Sequence, residues 1–217
     1  MRSVTRVLLM AGVVGPPIFI VVFVVEGLTR PGYSAWRNFV SQLATGGGGW
    51  VQTVNFLVCG TLVGACAIGL RQALRGGPAS VAAPILMFLF ACALIVAGVF
   101  TTDPALGYPV GVPETHTTHG MIHGVAGLAA FTLLPACALV MTRRFAGDPA
   151  ARKWALYSAI VTVVIIVCFI AGNVLSTLDA TGALPNAPTG FVQRIAIVAG
   201  WTWIAMVAQR ELRARGE

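Results

Sequence analysis

Six apolar stretches constrain the fold of this chain more than any other feature of its sequence. They cover residues 7–28, 50–70, 80–101, 119–141, 154–178 and 190–208. Each stretch is close to the ~20 residues that an α-helix needs to cross the hydrocarbon core of a bilayer. We therefore predict an all-α fold, a polytopic transmembrane bundle of six helices that forms a single membrane domain over residues 1–217.

The scarcity of charge supports this interpretation. Hydrophobic residues make up 57% of the chain and charged residues only 10%, whereas about 25% of the residues in an ordinary soluble domain are charged. So few charged side chains cannot cover the surface of a water-soluble fold of this length. Most of the surface is therefore expected to contact lipid, and membrane lipids are the predicted partners.

The first apolar stretch resembles a signal peptide in one respect, because it follows Arg2 and Arg6. It continues for about 20 residues, however, which exceeds the apolar core of a typical signal peptide. Its end, Val25-Glu26-Gly27-Leu28, has no small-residue cleavage site. We expect it to remain as the first membrane helix.

The distribution of basic residues predicts the orientation in the membrane. Eleven of the fourteen Lys and Arg residues fall in the two termini and in the second-to-third and fourth-to-fifth connections. Because cytoplasmic segments carry the excess of Lys and Arg, we predict a multi-pass plasma-membrane protein with both termini cytoplasmic. Since the basic residues cluster at the ends of apolar stretches, they indicate topology, and no nucleic-acid partner is expected. The eleven are Arg2, Arg6, Arg71, Arg75, Arg143, Arg144, Arg152, Lys153, Arg210, Arg213 and Arg215.

Small residues recur inside the apolar stretches. Gly60 and Gly64 in the second stretch, and Gly120, Gly124 and Gly127 in the fourth, have a spacing that lets helix backbones approach closely. We interpret them as packing positions within the chain's own bundle, while a homo-oligomer or an unidentified membrane partner stays open. The five cysteines, which form no C-x-x-C pair, are expected to be buried apolar residues. They are Cys59, Cys66, Cys92, Cys137 and Cys168.

The first outer loop, residues 29–49, contains a helical pattern. Apolar residues recur at helical spacing between Ser34 and Thr45, opposite Arg37, Asn38 and Gln42. We predict a short amphipathic helix that lies on the outer membrane interface and ends at the glycine run 46–49. Its apolar face would consist of Trp36, Phe39, Val40 and Leu43.

Three histidines open the fourth stretch. His116, His119 and His123 fall on one face of a helix, and His119 and His123 are one turn apart. Asp103, at the outer end of the third stretch, would add a carboxylate. Two histidines and a carboxylate with an open position resemble a catalytic zinc site, so zinc is a candidate cofactor. The alternative is that these histidines hydrogen-bond loop carbonyls or face water.

Polar and charged side chains converge at the outer end of the bundle, which predicts an outward-facing polar pocket. Arg194 lies just inside the sixth stretch, where Asp179, Asp103 or Glu26 are candidate partners. An ionisable side chain at membrane depth is a functional candidate. The candidate pocket residues are Tyr33, Ser41, Asp103, His116, His119, His123 and Arg194.

The layout resembles the prokaryotic membrane family catalogued as domain of unknown function 998. The resemblance rests on four short segments, which are 31–34 (PGYS), 40–43 (VSQL), 100–104 (FTTDP) and 119–123 (HGMIH). It implies a six-helix membrane protein of no established activity. It also directs attention to Tyr33, Ser41, Asp103 and His123.

The leading functional hypothesis is therefore binding of a lipid headgroup or small ligand in the outward-facing pocket. The first alternative is a zinc-dependent membrane hydrolase in which His119, His123 and Asp103 hold the metal. Ser41 or Glu114 would then assist proton transfer. Further alternatives are a small transporter, which the scarcity of ionisable residues at mid-membrane disfavours, and a structural or partner-binding subunit.

Overall fold

The computed structural model describes residues 2–214, without the side chain of Arg2. Arg215 and the Arg2 side chain, two members of the predicted charge pattern, lie outside the described residues. The six long helices are α1 (Arg2–Thr29), α2 (Trp50–Ala73), α3 (Ala79–Val99), α4 (Thr118–Ala146), α5 (Arg152–Ala180) and α6 (Thr189–Arg213). All six are long and apolar enough to cross a membrane, which confirms the predicted all-α bundle.

Several helices extend beyond the apolar stretches that predicted them. The clearest case is α4, which was predicted to end at Met141 and continues to Ala146. Its added turn contains Arg143 and Arg144, which are favourable near the carboxyl end of a helix dipole. Hydrophobicity defines the part of a helix in contact with lipid, while the backbone hydrogen bonds continue past it.

The six helices form a closed ring. Each helix packs against its neighbour in sequence, and α6 packs back against α1. The chain therefore runs alternately up and down, and the connections lie at two ends of the bundle. We call the end formed by residues 30–49, 100–117 and 181–188 the cap end, and the opposite end the basic end.

Contacts at the basic end bring together the segments that carry the predicted cluster of positive charge. The Arg144 guanidinium donates to the carbonyl oxygens of Gly76 and Arg75, at 2.9 and 3.0 Å. Arg210 lies over the ring of Phe145, with its Cζ atom 4.6 Å from the ring centroid. These contacts link α4 to the α2–α3 connection and to α6.

Aromatic side chains fill the interior of the ring. The rings of Phe19 and Trp201 are stacked, with centroids 4.0 Å apart and planes within 1°. Phe56 and Phe90 contact this pair from α2 and α3. This aromatic cluster therefore joins α1, α2, α3 and α6 directly.

Two of the predicted glycine positions pack as expected. An added Cβ atom at Gly60 would lie 2.9 Å from the Ile95 side chain and 3.2 Å from the Ala91 carbonyl oxygen. At Gly64 the nearest atom is the Cβ of Ala91, at 3.6 Å. Gly60 thus lets α2 and α3 approach closely, which is the role predicted for it.

The segment between Ser34 and Thr45 differs from the amphipathic helix predicted for it. It forms turns followed by a 3-10 helix of five residues, Val40–Ala44. Asn38 and Gln42, assigned to a water-facing side, are buried at 2% and 1% exposure. Asn38 donates to the Leu106 carbonyl at 3.0 Å, and Gln42 donates to that of Ala105. The segment is inserted into the cap end because these amides satisfy backbone groups of the α3–α4 connection.

Candidate functional site

His123 occupies the second turn of α4 and is 8% exposed. Its Nδ1 atom lies 3.0 Å from the carbonyl oxygen of Ala97 and 2.9 Å from that of Phe100. Because both neighbours are acceptors, Nδ1 must carry the proton. In the neutral ring, Nε2 is then a hydrogen-bond acceptor, and no described residue donates a hydrogen bond to it.

Two adjoining cavities meet at His123. The inner cavity, of about 90 Å³, is mainly apolar and is bounded by Phe19, Phe56 and Trp201 among others. The second, of about 340 Å³, lies between α4 and α5, where Phe169 and Gly172 form the α5 wall. Five residues line both cavities, namely Ser41, His123, Gly127, Phe131 and Gln193. The two cavities therefore adjoin at these five residues, and we call the pair the α4/α5 cleft.

Glycines create the space between α4 and α5. An added Cβ atom at Gly124, Gly127 or Gly172 would meet no atom within 4 Å. Leu128, on the rim, is 55% exposed on a membrane-spanning helix. The cleft therefore opens sideways toward lipid, and Gly124 and Gly127 do not pack against another helix of the described chain as predicted.

Two further polar side chains reach the cleft from other elements. The Val40 backbone N–H donates to Gln193 Oε1 at 2.8 Å, so Gln193 offers its amide nitrogen to the cleft as a donor. Ser41 follows Val40 in the 3-10 helix, and insertion of that segment places Ser41 on the wall. The mouth of the inner cavity therefore combines an acceptor on His123, an amide donor and a hydroxyl.

A third cavity, of about 520 Å³, lies at the cap end and is lined by Asp103, Glu114 and His116 among others. The Asp103 carboxylate accepts from the backbone N–H and the hydroxyl of Thr117, at 2.8 and 2.7 Å. These hydrogen bonds hold the pKa of Asp103 below its ordinary value. The Thr117 hydroxyl also accepts from the Gly120 N–H at 3.1 Å, so Asp103 stabilises the start of α4.

The seven predicted pocket residues do not surround one cavity. Ser41 and His123 line the α4/α5 cleft, whereas Asp103 and His116 line the third cavity. His119 is exposed, and its ring contacts the edge of Phe100 with centroids 5.2 Å apart. The remaining two, Tyr33 and Arg194, belong to the cap end.

Arg194 has different partners from those expected. Its guanidinium donates to the Tyr33 hydroxyl and to the carbonyl oxygens of Ala35 and Asn38, the last two at 2.8 and 3.0 Å. The carboxylates proposed as its partners are engaged elsewhere. Arg194 therefore fastens the α1–α2 connection onto α6 through backbone carbonyls.

The other cap arginines pair with those carboxylates. Arg37 binds Asp179 with two hydrogen bonds, at 2.7 and 2.8 Å. Arg30 binds Glu26 and the carbonyl oxygen of Gly48. Gly48 adopts a φ of +88°, which only glycine adopts readily, and so permits this turn. These contacts give the three arginines structural partners within the cap.

The predicted zinc ligands have separate partners in this arrangement. His119 contacts Phe100, Asp103 binds Thr117, and His123 donates to two carbonyls. Within residues 2–214, no three His, Cys, Asp or Glu side chains are grouped as a metal site. The zinc assignment stays a prediction.

Most of the residues that line the cleft were absent from the predicted site. Gln193 was noted only as a polar residue near a helix end, and Trp201 and Gly172 carry no distinguishing motif. Gly127 was predicted from its spacing, but as a packing position. Gly124 and Gly127 of α4 leave a space opposite Gly172 of α5. This space is apparent only when the relative positions of α4 and α5 are known.

The closed ring of six membrane-crossing helices with a lateral cleft defines a polytopic membrane protein. The chain belongs to the family described as Protein of unknown function (DUF998), whose profile matches residues 13–210. The match covers every residue of the α4/α5 cleft and confirms the resemblance seen in the sequence. Comparisons with curated proteins and with solved structures find no match.

Proposed function

We propose that this protein binds an amphipathic lipid or lipid-like small molecule in the α4/α5 cleft. The observation that carries the proposal is that the two cavities adjoin at Ser41, His123 and Gln193, which line both of them. An apolar tail would occupy the inner cavity, and the polar end would remain beside these three side chains. Small-molecule sites commonly combine an apolar wall with a few convergent polar groups in this way.

The inner cavity suits an apolar tail better than water. Its walls are mainly apolar, so a water molecule there would find few hydrogen-bond partners. A water molecule would find no hydrogen bond at the ring faces of Phe19, Phe56 and Trp201. Filling this space with hydrocarbon would add dispersion contacts that the empty cavity lacks.

The lateral opening suggests how the molecule would enter. We place the basic end in the cytoplasm, because cytoplasmic segments carry the excess of Lys and Arg. The cap end then faces outward, and the cleft lies in the outer half of the bilayer. On this arrangement in the plasma membrane, the ligand would come from the outer leaflet by passing between α4 and α5.

Native mass spectrometry with a matched pair of variants tests the proposal. Gly127→Phe would fill the space shared by both cavities, whereas Val125→Phe adds a ring on the same helix at a position that is 65% exposed to lipid. We expect a lipid-mass adduct on the wild type and on Val125→Phe, and its loss from Gly127→Phe. Equal adducts on all three folded proteins would refute binding in the cleft.

The alternative proposal is a zinc-dependent membrane hydrolase that uses His119, His123 and Asp103. The observation that favours it is the geometry of His123, because Nδ1 donation to a backbone carbonyl commonly orients a histidine whose other nitrogen binds metal. About one zinc per chain, lost in a His119→Ala/His123→Ala double variant, would support it. Metal-free protein after zinc supplementation would eliminate it and leave the lipid-binding proposal unaffected.

A further inference from the structure

Among residues 2–214, no Asp, Glu, Lys or Arg lines either cavity of the α4/α5 cleft. The candidates for binding an anionic headgroup at the cap end are the cap arginines, and each has partners already. Arg194 donates to Tyr33 and to backbone carbonyls, Arg37 binds Asp179, and Arg30 binds Glu26. Two of the three are thus paired with carboxylates, and none of the three lines the cleft. An anion in the cleft would therefore have no cation from the described residues in direct contact with it.

The polar atoms at the cleft mouth complement a hydroxyl group. The fixed tautomer of His123 offers an acceptor at Nε2, and the Gln193 amide offers a donor. A hydroxyl donates one hydrogen bond and accepts others, so one hydroxyl can use both groups. A carboxylate or phosphate oxygen, which only accepts, would leave the His123 acceptor without a donor and place a negative charge beside its lone pair.

We infer that the α4/α5 cleft selects amphiphiles with an uncharged, hydroxyl-bearing head, of the acylglycerol or long-chain alcohol class, over anionic lipids. The inference rests on the proposed function and specifies its ligand class. Its physical basis is that an ion taken from water must be paired, whereas a hydroxyl needs only hydrogen bonds. The walls supply hydrogen bonds and no charge.

Titration with two probes that share one acyl chain tests this selectivity. The probes are 1-oleoylglycerol and 1-oleoyl lysophosphatidate, added to the full chain in phosphatidylcholine nanodiscs, with the bound fraction read by native mass spectrometry. We expect the wild type to bind the glycerol ester at least about tenfold more tightly, because the phosphate would be buried without a counterion. Gly127→Phe should abolish binding of the glycerol ester.

Two substitutions separate the polar contacts from the fold. His123→Asn retains a donor near the position of Nδ1 and removes the Nε2 acceptor, so we expect roughly fivefold weaker binding of 1-oleoylglycerol in a protein that still folds. Asn173→Lys adds a cation at an exposed position on the cleft wall. We expect it to strengthen binding of the lysophosphatidate relative to binding of the glycerol ester.

The outcomes distinguish this inference from the proposed function. If both probes bind with equal affinity and Gly127→Phe abolishes both, the cleft binds lipid and the inferred selectivity is wrong. If the lysophosphatidate binds more tightly than the glycerol ester, the selectivity is also wrong. If neither probe binds to the folded wild type, the selectivity and the proposed lipid binding both fail.

Discussion

The Nδ1 atom of His123 lies 2.9 Å from the carbonyl oxygen of Phe100, the residue that immediately follows α3. The same atom lies 3.0 Å from the carbonyl oxygen of Ala97. One ring therefore links α4 to the last turn of α3 and fixes which nitrogen is offered to the cleft. A structural role and the proposed binding role thus meet in one side chain.

Substitutions at His123 should separate these two roles. His123→Leu leaves the Ala97 and Phe100 carbonyls without their shared donor, and we expect the free energy of unfolding to fall by about 1–3 kcal/mol. His123→Asn retains a hydrogen-bond donor near these carbonyls, so its free energy of unfolding should fall by less. The measurement is unfolding by SDS titration in mixed micelles. Equal loss of stability in the two variants would contradict the assigned hydrogen bonds.

The glycines of the bundle should respond to alanine in opposite ways. Gly124→Ala adds a methyl group to open space and should stabilise α4 by about 0.5–1 kcal/mol through helix propensity. At Gly12 the added Cβ would lie 2.2 Å from the Cys66 Sγ atom, and the overpacking should cost about 1–3 kcal/mol. Thermal unfolding in detergent compares the pair. Similar destabilisation by both would show that Gly124 packs against another helix or subunit.

The ion pair between Arg37 and Asp179 should stabilise the cap end. The hydrogen bonds to Asp179 raise the pKa of Arg37, and the Asp179 side chain is only 1% exposed. Asp179→Asn or Arg37→Met should each reduce the free energy of unfolding by about 2–3 kcal/mol, because each leaves a charged partner unpaired. In a double-mutant cycle, the double variant should lose much less free energy of unfolding than the two single variants lose when their losses are added. Simple additivity would mean that the two side chains do not interact.

The hydrogen bonds to Asp103 predict a pH dependence. Because its pKa is lowered in the folded state, relative to about 3.9 in an unfolded chain, the carboxylate adds stability above about pH 4 and loses it as the pH falls through the folded-state pKa. Asp103→Asn should therefore melt below the wild type at pH 7. The difference should narrow as the pH falls below about 4.

Melting curves recorded from neutral to acidic pH check this prediction, and Thr117→Val serves as the matched control. That variant keeps the carboxylate but removes one of its two Thr117 hydrogen bonds. Between neutral and acidic pH, the melting temperature of Thr117→Val should fall by less than that of the wild type and by more than that of Asp103→Asn. A difference between Asp103→Asn and the wild type that stays constant across the pH range would contradict the role assigned to the carboxylate.

The sequence was sufficient to predict the number of helices, because hydrophobicity alone determines which segments enter lipid. It also singled out Ser41 and His123, which line the α4/α5 cleft. It did not predict that Asn38 and Gln42 are buried, since a helical pattern assigns polar residues to water. Their partners are carbonyl groups of Leu106 and Ala105, more than sixty residues away, and such pairings depend on how the loops meet.

The α4/α5 cleft was not predictable for a related reason. Glycines at four-residue spacing, such as Gly120 and Gly124, indicate close approach, and Gly60 has that role against α3. At Gly124 and Gly127 the glycine row leaves open space instead, because the facing wall on α5 contains Gly172. The glycines can be read from the sequence, but whether each one packs closely or leaves a cavity depends on the side chains of the helix beside it.

The central claim is that an acyl chain enters between α4 and α5 and reaches the inner cavity, where Trp201 is stacked on Phe19. The most direct measurement is quenching of tryptophan fluorescence by a monoacylglycerol whose chain carries bromine atoms. The contribution of Trp201 is the difference between the wild type and Trp201→Phe. We predict saturable quenching of Trp201, which Gly127→Phe removes and Val125→Phe retains. If Trp201 is not quenched while the exposed Trp50 is, the chain remains on the outer surface and the account is contradicted.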